Sequence, residues 1–329
     1  MDRFHLFQEK LYQVNAENFN SIALDLFQIQ AKGNPVYRRW IEILGIQPEK
    51  VASLLDIPFM PISFFKSQRI QTGHWDWKDE FTSSSTTGHS LSRHGIKDLV
   101  FYLNHAEKCF RSSFGPPAEY HILALLPSYL ERQGSSLVAM LDHFIRISQS
   151  SYAGFFLNQT DKLLSQVDKL KGEGKKVMLW GVSFALLDLA EKHQPDLSHA
   201  LVIETGGMKG RRKELTREEL HGLLKSGLNV DRVFSEYGMT ELYSQAYSKG
   251  SNCFYPPPWM KVIIRDVNDP FRKGLIHETG GINVIDLANF HSMAFLETED
   301  LGRVYPDGSF EVLGRFDNSE LRGCNLFMV

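Results

Sequence analysis

The middle of this chain swaps repeatedly between short apolar runs and stretches with helical periodicity, and that exchange constrains its fold more than any other feature. Apolar runs stand at 121–126, 176–180, 200–204 and 230–234, and helical patterns occupy about 96–113, 134–149, 161–172, 183–193 and 216–226. Strands alternating with helices predict an α/β fold built on a doubly wound, mostly parallel sheet. Such sheets take their ligands beyond the carboxyl ends of the strands. Four unusual stretches fall at those ends: Leu126-Pro127-Ser128-Tyr129, Gly181-Val182-Ser183, Glu204-Thr205-Gly206-Gly207 and Ser235-Glu236-Tyr237-Gly238-Met239-Thr240-Glu241.

The flanks differ in character. Residues 1–78 predict a helical cap, with apolar positions at helical spacing broken at Gly33-Asn34-Pro35. The cap ends in an extended edge segment, 57–66, whose two prolines argue against a helix. Residues 79–258 form the expected nucleotide-binding core and 259–316 a smaller β-rich subdomain, where Pro306-Asp307-Gly308 marks a hairpin turn. A tail, 317–329, closes the sequence. With 329 residues, 43% of them apolar, the chain has material for a large core, and a net charge of −3 gives no electrostatic case for nucleic acid or an anionic membrane. Three cysteines, Cys109, Cys253 and Cys324, form no metal-ligand spacing, which favours free thiols in a reducing compartment. No apolar run reaches the length of a membrane span and the N-terminus has no signal core, so the expectation is a cytoplasmic protein.

Two stretches carry chemistry. The run Thr82-Ser83-Ser84-Ser85-Thr86-Thr87, closed by Gly88, cannot fill a core, because each hydroxyl competes with the backbone for hydrogen bonds. It reads as a loop whose hydroxyls and N–H groups suit phosphate, with a helix N-terminus following from Ile96. A Ser/Thr linker between two helices is an equal reading of the run by itself. The second stretch, Gly181-Val182-Ser183-Phe184-Ala185, sits between a strand and a helix like a hydrolase nucleophile elbow, and Asp231 with His277 or His291 would complete a triad. Ala185 stands where the elbow packs a glycine, so an ordinary strand end with a serine N-cap is the favoured reading. Lys66 either points at a phosphate or ends a strand exposed to solvent, the second being favoured.

Four patterns in order then resemble one superfamily. Tyr237-Gly238-Met239-Thr240-Glu241 is similar to the core motif of the adenylate-forming enzymes, which include acyl-CoA synthetases, luciferases and peptide-synthetase adenylation domains. Thr82 to Gly88 resembles their phosphate loop, Thr298-Glu299-Asp300-Leu301-Gly302 their ribose motif, and Gly314-Arg315-Phe316-Asp317-Asn318 their hinge. Within that superfamily, Ile57-Pro58-Phe59-Met60-Pro61, Leu126 to Arg132 with Ser135-Ser136-Leu137, Glu204 to Gly207 and Arg322-Gly323-Cys324-Asn325-Leu326 resemble the bacterial acyl-protein synthetases, the fatty-acid-activating component of the luminescence fatty-acid reductase complex.

The resemblance implies that a fatty acid attacks ATP to give acyl-adenylate and pyrophosphate, and that a cysteine then takes the acyl group for a partner reductase or acyltransferase. It assigns the phosphates to Ser84, Ser85, Thr86, Thr87 and Gly88, and Mg²⁺ to Glu241. Tyr237 would flank the adenine beside Gly238 and Thr240, with Glu204, Gly206 and Gly207 as the neighbouring wall, and Asp300 and Arg315 would bind the ribose. Ser85 replaces a usual glycine and Leu91 a usual lysine, for which Arg93 or His94 would have to substitute. Relatives carry about a hundred residues beyond the hinge, a mobile domain expected to be lacking here, where twelve residues follow Asp317. Cys324 is the expected acyl acceptor: it lies beside Arg322 and within reach of the adenylate, nine residues or about 30 Å of extended chain beyond Arg315. A relative of acyl- or aryl-CoA ligases that borrows a separate domain is the alternative, and an esterase using Ser183 a third.

Overall fold

The computed structural model describes residues 3–83, 91–127, 134–206 and 215–316. Three helices open the chain: α1 (Arg3–Leu11), α2 (Phe19–Gly33) and α3 (Pro35–Ile43). A two-residue strand β1 (Met60–Pro61) and the hairpin β2 (Asp79–Thr82) and β3 (Arg93–Ile96) follow. The alternating region comprises α4 (Leu99–Phe114), β4 (Tyr120–Leu125), α5 (Ser136–Ser148), β5 (Gly154–Phe155), α6 (Thr160–Lys169), β6 (Lys176–Val182), α7 (Ser183–Lys192), β7 (Ala200–Thr205), α8 (Arg217–Leu228) and β8 (Val233–Tyr237). Then come β9 (Ala246–Ser248), β10 (Cys253–Tyr255), β11 (Met260–Arg265), β12 (Gly280–Asp286), β13 (Phe295–Val304) and β14 (Phe310–Arg315).

One sheet unites most of these strands, in the order β11-β12-β13-β14-β10-β9-β8-β7-β6-β4-β5. The stretch β5-β4-β6-β7-β8 is parallel, with α4 and α5 packed over one face and α7 and α8 over the other, which is the doubly wound α/β arrangement expected. From β8 onward the neighbours on the path are antiparallel, so the β-rich segment continues the same sheet. The parallel strands are buried on both sides, and β4 has no exposed residue, as a strand covered by helices requires.

Capping residues set the helix starts. Asn34 ends α2 and accepts a hydrogen bond from the Tyr37 amide at 3.1 Å, with Pro35 in the first helical position, so the Gly-Asn-Pro break is a corner between two helices. Thr216 and Glu219 form a capping box on α8. The N-terminal helices lean on the antiparallel part: buried Gln30 donates to the carbonyls of Asn289, Phe290 and Ser292 and accepts from the Ala294 amide.

Three expectations change. The hydroxyl run leads from β2 into β3 and not into a helix; α4 begins only at Leu99, capped by Asp98. Phe81 packs edge-on against Tyr102, which ties that hairpin to α4. Residues 57–66 are extended only around β1, which pairs with β13; Ile62–Lys66 is a 3₁₀ turn, the bend a chain takes once its ladder ends. Finally, β8 runs three residues further than the apolar run predicts, through Tyr237, because pairing with β7 and β9 holds the polar Ser235 and Glu236 in the ladder.

Candidate active site

The β13–β14 hairpin brings together two motifs that lie fifteen residues apart. Asp307 caps the turn by accepting from the Ser309 amide at 3.0 Å, and Gly308 takes a φ of 82°. Pairing back from that turn, through a register shift between Leu301 and Gly302, sets Asp300 directly opposite Arg315. The Arg315 Nε donates to Asp300 Oδ1 at 3.2 Å, and the Tyr237 hydroxyl donates to Asp300 Oδ2 at 2.9 Å. The Thr298 hydroxyl accepts from the Asp300 amide while donating to the Ile282 carbonyl, so the stretch of β13 carrying Asp300 is tied to β12. Each carboxylate oxygen of Asp300 thus keeps a lone pair for a further donor. A pair of vicinal hydroxyls fits that vacancy, so the ribose of ATP suits the residues present.

Around this clamp the other candidates take distinct positions. Tyr237 packs its ring on Phe254 and Phe310, with centroids at 5.7 and 5.2 Å, and burial pushes its phenol well above the ordinary range. Its hydroxyl is therefore a fixed donor to Asp300. Gly206 ends β7 with a φ of 64°, a left-handed turn that favours glycine. Glu204 turns its carboxylate inward, where Ser183 Oγ donates at 3.0 Å and His221 Nε2 stands 3.7 Å away. Gly238 and Thr240 follow β8, and the Thr240 carbonyl accepts from His94 Nδ1 at 2.8 Å.

Glu241 is buried, and its backbone carbonyl accepts from Asn289 Nδ2 at 2.7 Å. Burial raises its carboxyl above the ordinary value, opposed by the Ser92 hydroxyl and by the positive fields of Arg315 and Lys66. Among the described residues no group of three or more His, Cys, Asp or Glu side chains converges on one point. A lone carboxylate fits Mg²⁺ through that ion's usual habit, one or two carboxylates completed by phosphate oxygens and water. Lys66, half exposed and 3.8 Å from Glu299, brings a cation to this rim from the N-terminal segment. Arg93 instead pairs with Glu80 at 2.9 Å, and buried His94 is driven down to about 4 by burial. Neither supplies the charge absent at Leu91.

A cavity of about 330 Å³ opens on the other side of β8, at the carboxyl ends of the parallel strands. Its wall includes Thr82 of β2, Val182, Thr205, Gly206, Glu236 and Gln245. Sequence reasoning passed over Glu236 and Gln245. A charged residue in mid-strand before Tyr237 was the available signal.

Ser84, Ser85, Thr86, Thr87, Gly88, Gly207 and Cys324 lie outside the described residues. Ser183 begins α7, is buried, and shares its one hydroxyl proton between Glu204 and the Gly206 carbonyl. Asp231 precedes β8 and so lies at the amino end of the parallel strands, which separates it from Ser183 at the carboxyl end of β6. The elbow reading therefore loses its triad. Cys109 is in the core, where burial pushes its thiol up to about 12, and Cys253 is half-buried.

No protein-family model matches the sequence, and neither does any curated protein. Solved structures do match in shape, among them acyl-CoA ligases, whose fold this chain has. A 2-hydroxyisobutyryl-CoA ligase, solved with 2-HIB-AMP and CoA, aligns over 92% of this chain and 69% of its own, with TM-score 0.68 and 16% identity. ATP-bound MatB from Rhodopseudomonas palustris aligns over 72% of this chain with TM-score 0.53 and 17% identity, and a malonyl-CoA ligase with methylmalonyl-CoA and AMP over 73% with TM-score 0.52 and 20% identity. This chain spans about half the length of those two, 47% and 53%.

Proposed function

We propose that this protein activates a fatty acid with ATP and passes the acyl group to a thiol. The acid's carboxylate oxygen attacks the α-phosphorus, the bond to the β-phosphate oxygen breaks, and pyrophosphate leaves. A thiolate then attacks the acyl carbon and AMP departs. The observation that carries the reading is the grip of Tyr237 and Arg315 on Asp300. It stands across β8 from a cavity suited to the acid. Its support from outside is the likeness to ligases solved with ATP and with acyl-adenylate.

Each residue has a physical part. Asp300 accepts from the ribose hydroxyls and Arg315 keeps that carboxylate in place. Ser84, Ser85, Thr86, Thr87 and Gly88 hold the phosphates; Tyr237, Gly238, Thr240, Gly206 and Gly207 border the base, with Glu204 bracing that wall from inside. Mg²⁺ on Glu241 screens phosphate charge when bound. Cys324 is the acyl acceptor, delivering the thioester to a reductase or acyltransferase in the cytoplasm, where thiols stay reduced.

The test is acid-dependent exchange of labelled pyrophosphate into ATP, followed by intact mass. Exchange with a hydroxylamine-labile acyl adduct that vanishes in Cys324→Ser is the expected result; absence of exchange with any acid overturns the proposal. A second reading, a CoA ligase completed by a separate polypeptide, draws on the likeness to a ligase solved with CoA. Acyl-CoA formed by Cys324→Ser once CoA is added would select it.

A further inference from the structure

Strand alternation gives β8 two working faces. Tyr237 faces Phe254, Phe310 and Asp300, whereas Phe234 packs on Phe114 of α4 and Glu236 lines the cavity. Thr205 Oγ1 donates to Glu236 Oε2, and no other hydrogen bond among the described residues reaches this carboxyl. Its Oε1 abuts Gly238, where any β-carbon would collide with it; the same point lies 3.3 Å from Gln245 Cγ. Gln245 is 4% exposed, and its Nε2 donates to the Tyr243 carbonyl at 3.0 Å, which fixes the amide and leaves Oε1 with no partner. Two acceptors therefore stand beside Gly238 in a cavity whose remaining wall includes Leu126, Leu137, Met140 and Leu157.

We infer that the acid taken by this site carries a hydrogen-bond donor on its chain, a hydroxyl or an ammonium group, and that Glu236 and Gln245 select it. The inference rests on the acyl-activating reading and narrows its substrate. A plain alkyl chain in this cavity takes water from the Glu236 carboxyl and leaves the Gln245 oxygen unpaired, whereas a donor satisfies one or both; sites built in this way reject the analogue that lacks the group. Burial also pushes the Glu236 carboxyl up to about 7, so both of its oxygens accept above that pH and one still accepts below it. Glycine at 238 is what lets the carboxyl sit against the backbone there.

The experiment compares octanoic acid with its β-hydroxylated, terminally hydroxylated and terminally aminated forms, by pyrophosphate exchange and, separately, by calorimetric binding of each acid. Wild type should favour at least one donor-bearing acid over octanoic acid by about twentyfold or more in kcat/KM. Glu236→Leu and Gln245→Leu, each checked for a native unfolding transition, should each cut that ratio about tenfold. A preference for plain octanoic acid, or a ratio unchanged in both variants, overturns the inference. If no acid supports exchange but a donor-bearing acid binds in a Glu236-dependent way, the adenylating reading fails and the selectivity stands.

Discussion

Two neighbouring residues of one strand, Glu236 and Tyr237, have opposite surroundings. Tyr237 belongs to a preassembled polar unit: its hydroxyl and Arg315 each donate to one oxygen of Asp300, and its ring packs on Phe254 and Phe310, which also stack on each other. Glu236 belongs to an open one, with a single donor from Thr205 and an unpartnered amide oxygen beside it. The difference teaches what each face is for. A preassembled unit presents a fixed geometry to a constant ligand part, while unspent acceptors fit a part that varies between substrates.

The comparison breaks most visibly at Asp300. Asp300→Ala removes the acceptor for two ligand hydroxyls, and exchange should fall about 100-fold, chiefly through the KM for ATP. The preference among acids should stay as it was. A shift in that preference would mean the two faces are coupled through the strand.

How far the sequence already contained this division follows from the forces involved. The strand and helix order of the α/β half was legible because apolar periodicity tracks burial, and β6, β7 and α7 begin where the pattern places them. That Asp300 and Arg315 share a hairpin was legible from the Pro-Asp-Gly turn, but their pairing was not: a register shift between Leu301 and Gly302 brings Arg315 opposite Asp300 where the turn alone would bring Gly314. The β2–β3 hairpin was not. Arg93-His94-Gly95-Ile96 has one apolar side chain and no alternation, and it holds as a strand because β2 pairs with it and Gly95 admits the Trp77 ring. Glu236 was read past for a related reason: one carboxyl in a strand looks like a solvated face until the cavity over it is seen.

Smaller changes sharpen the contrast. Tyr237→Phe leaves the ring packing and deletes one donor to Asp300, so the KM for ATP should rise about fivefold, the worth of one net hydrogen bond. Lys66→Met removes a half-exposed cation whose field reaches Glu241, and the exchange rate should fall about threefold, less in high salt. An effect of Lys66→Met that ignores ionic strength would refute this electrostatic account.

The smallest effect is a pH dependence of stability, and its sign separates the two sides of the site. Burial raises the Glu236 carboxyl from 4.5 to about 7, so between those values the folded chain holds a proton that the unfolded chain has released. Its contribution is full below about 4.5 and is lost as pH rises through about 7. Buried His94 runs the other way: lowered from 6.5 to about 4, it is neutral in the folded chain where the unfolded chain is charged, so its contribution is present above 6.5 and is lost as pH falls through about 4. Thermal unfolding of Glu236→Gln beside wild type isolates the first. Wild type should gain about 3 °C in Tm relative to the variant on going from about pH 8 to about pH 5. His94→Asn should lose less than wild type between about pH 6.5 and about pH 4. Parallel curves for Glu236→Gln and wild type would mean that water already reaches the Glu236 carboxyl, and the open face of β8 would then be open to solvent instead of to substrate.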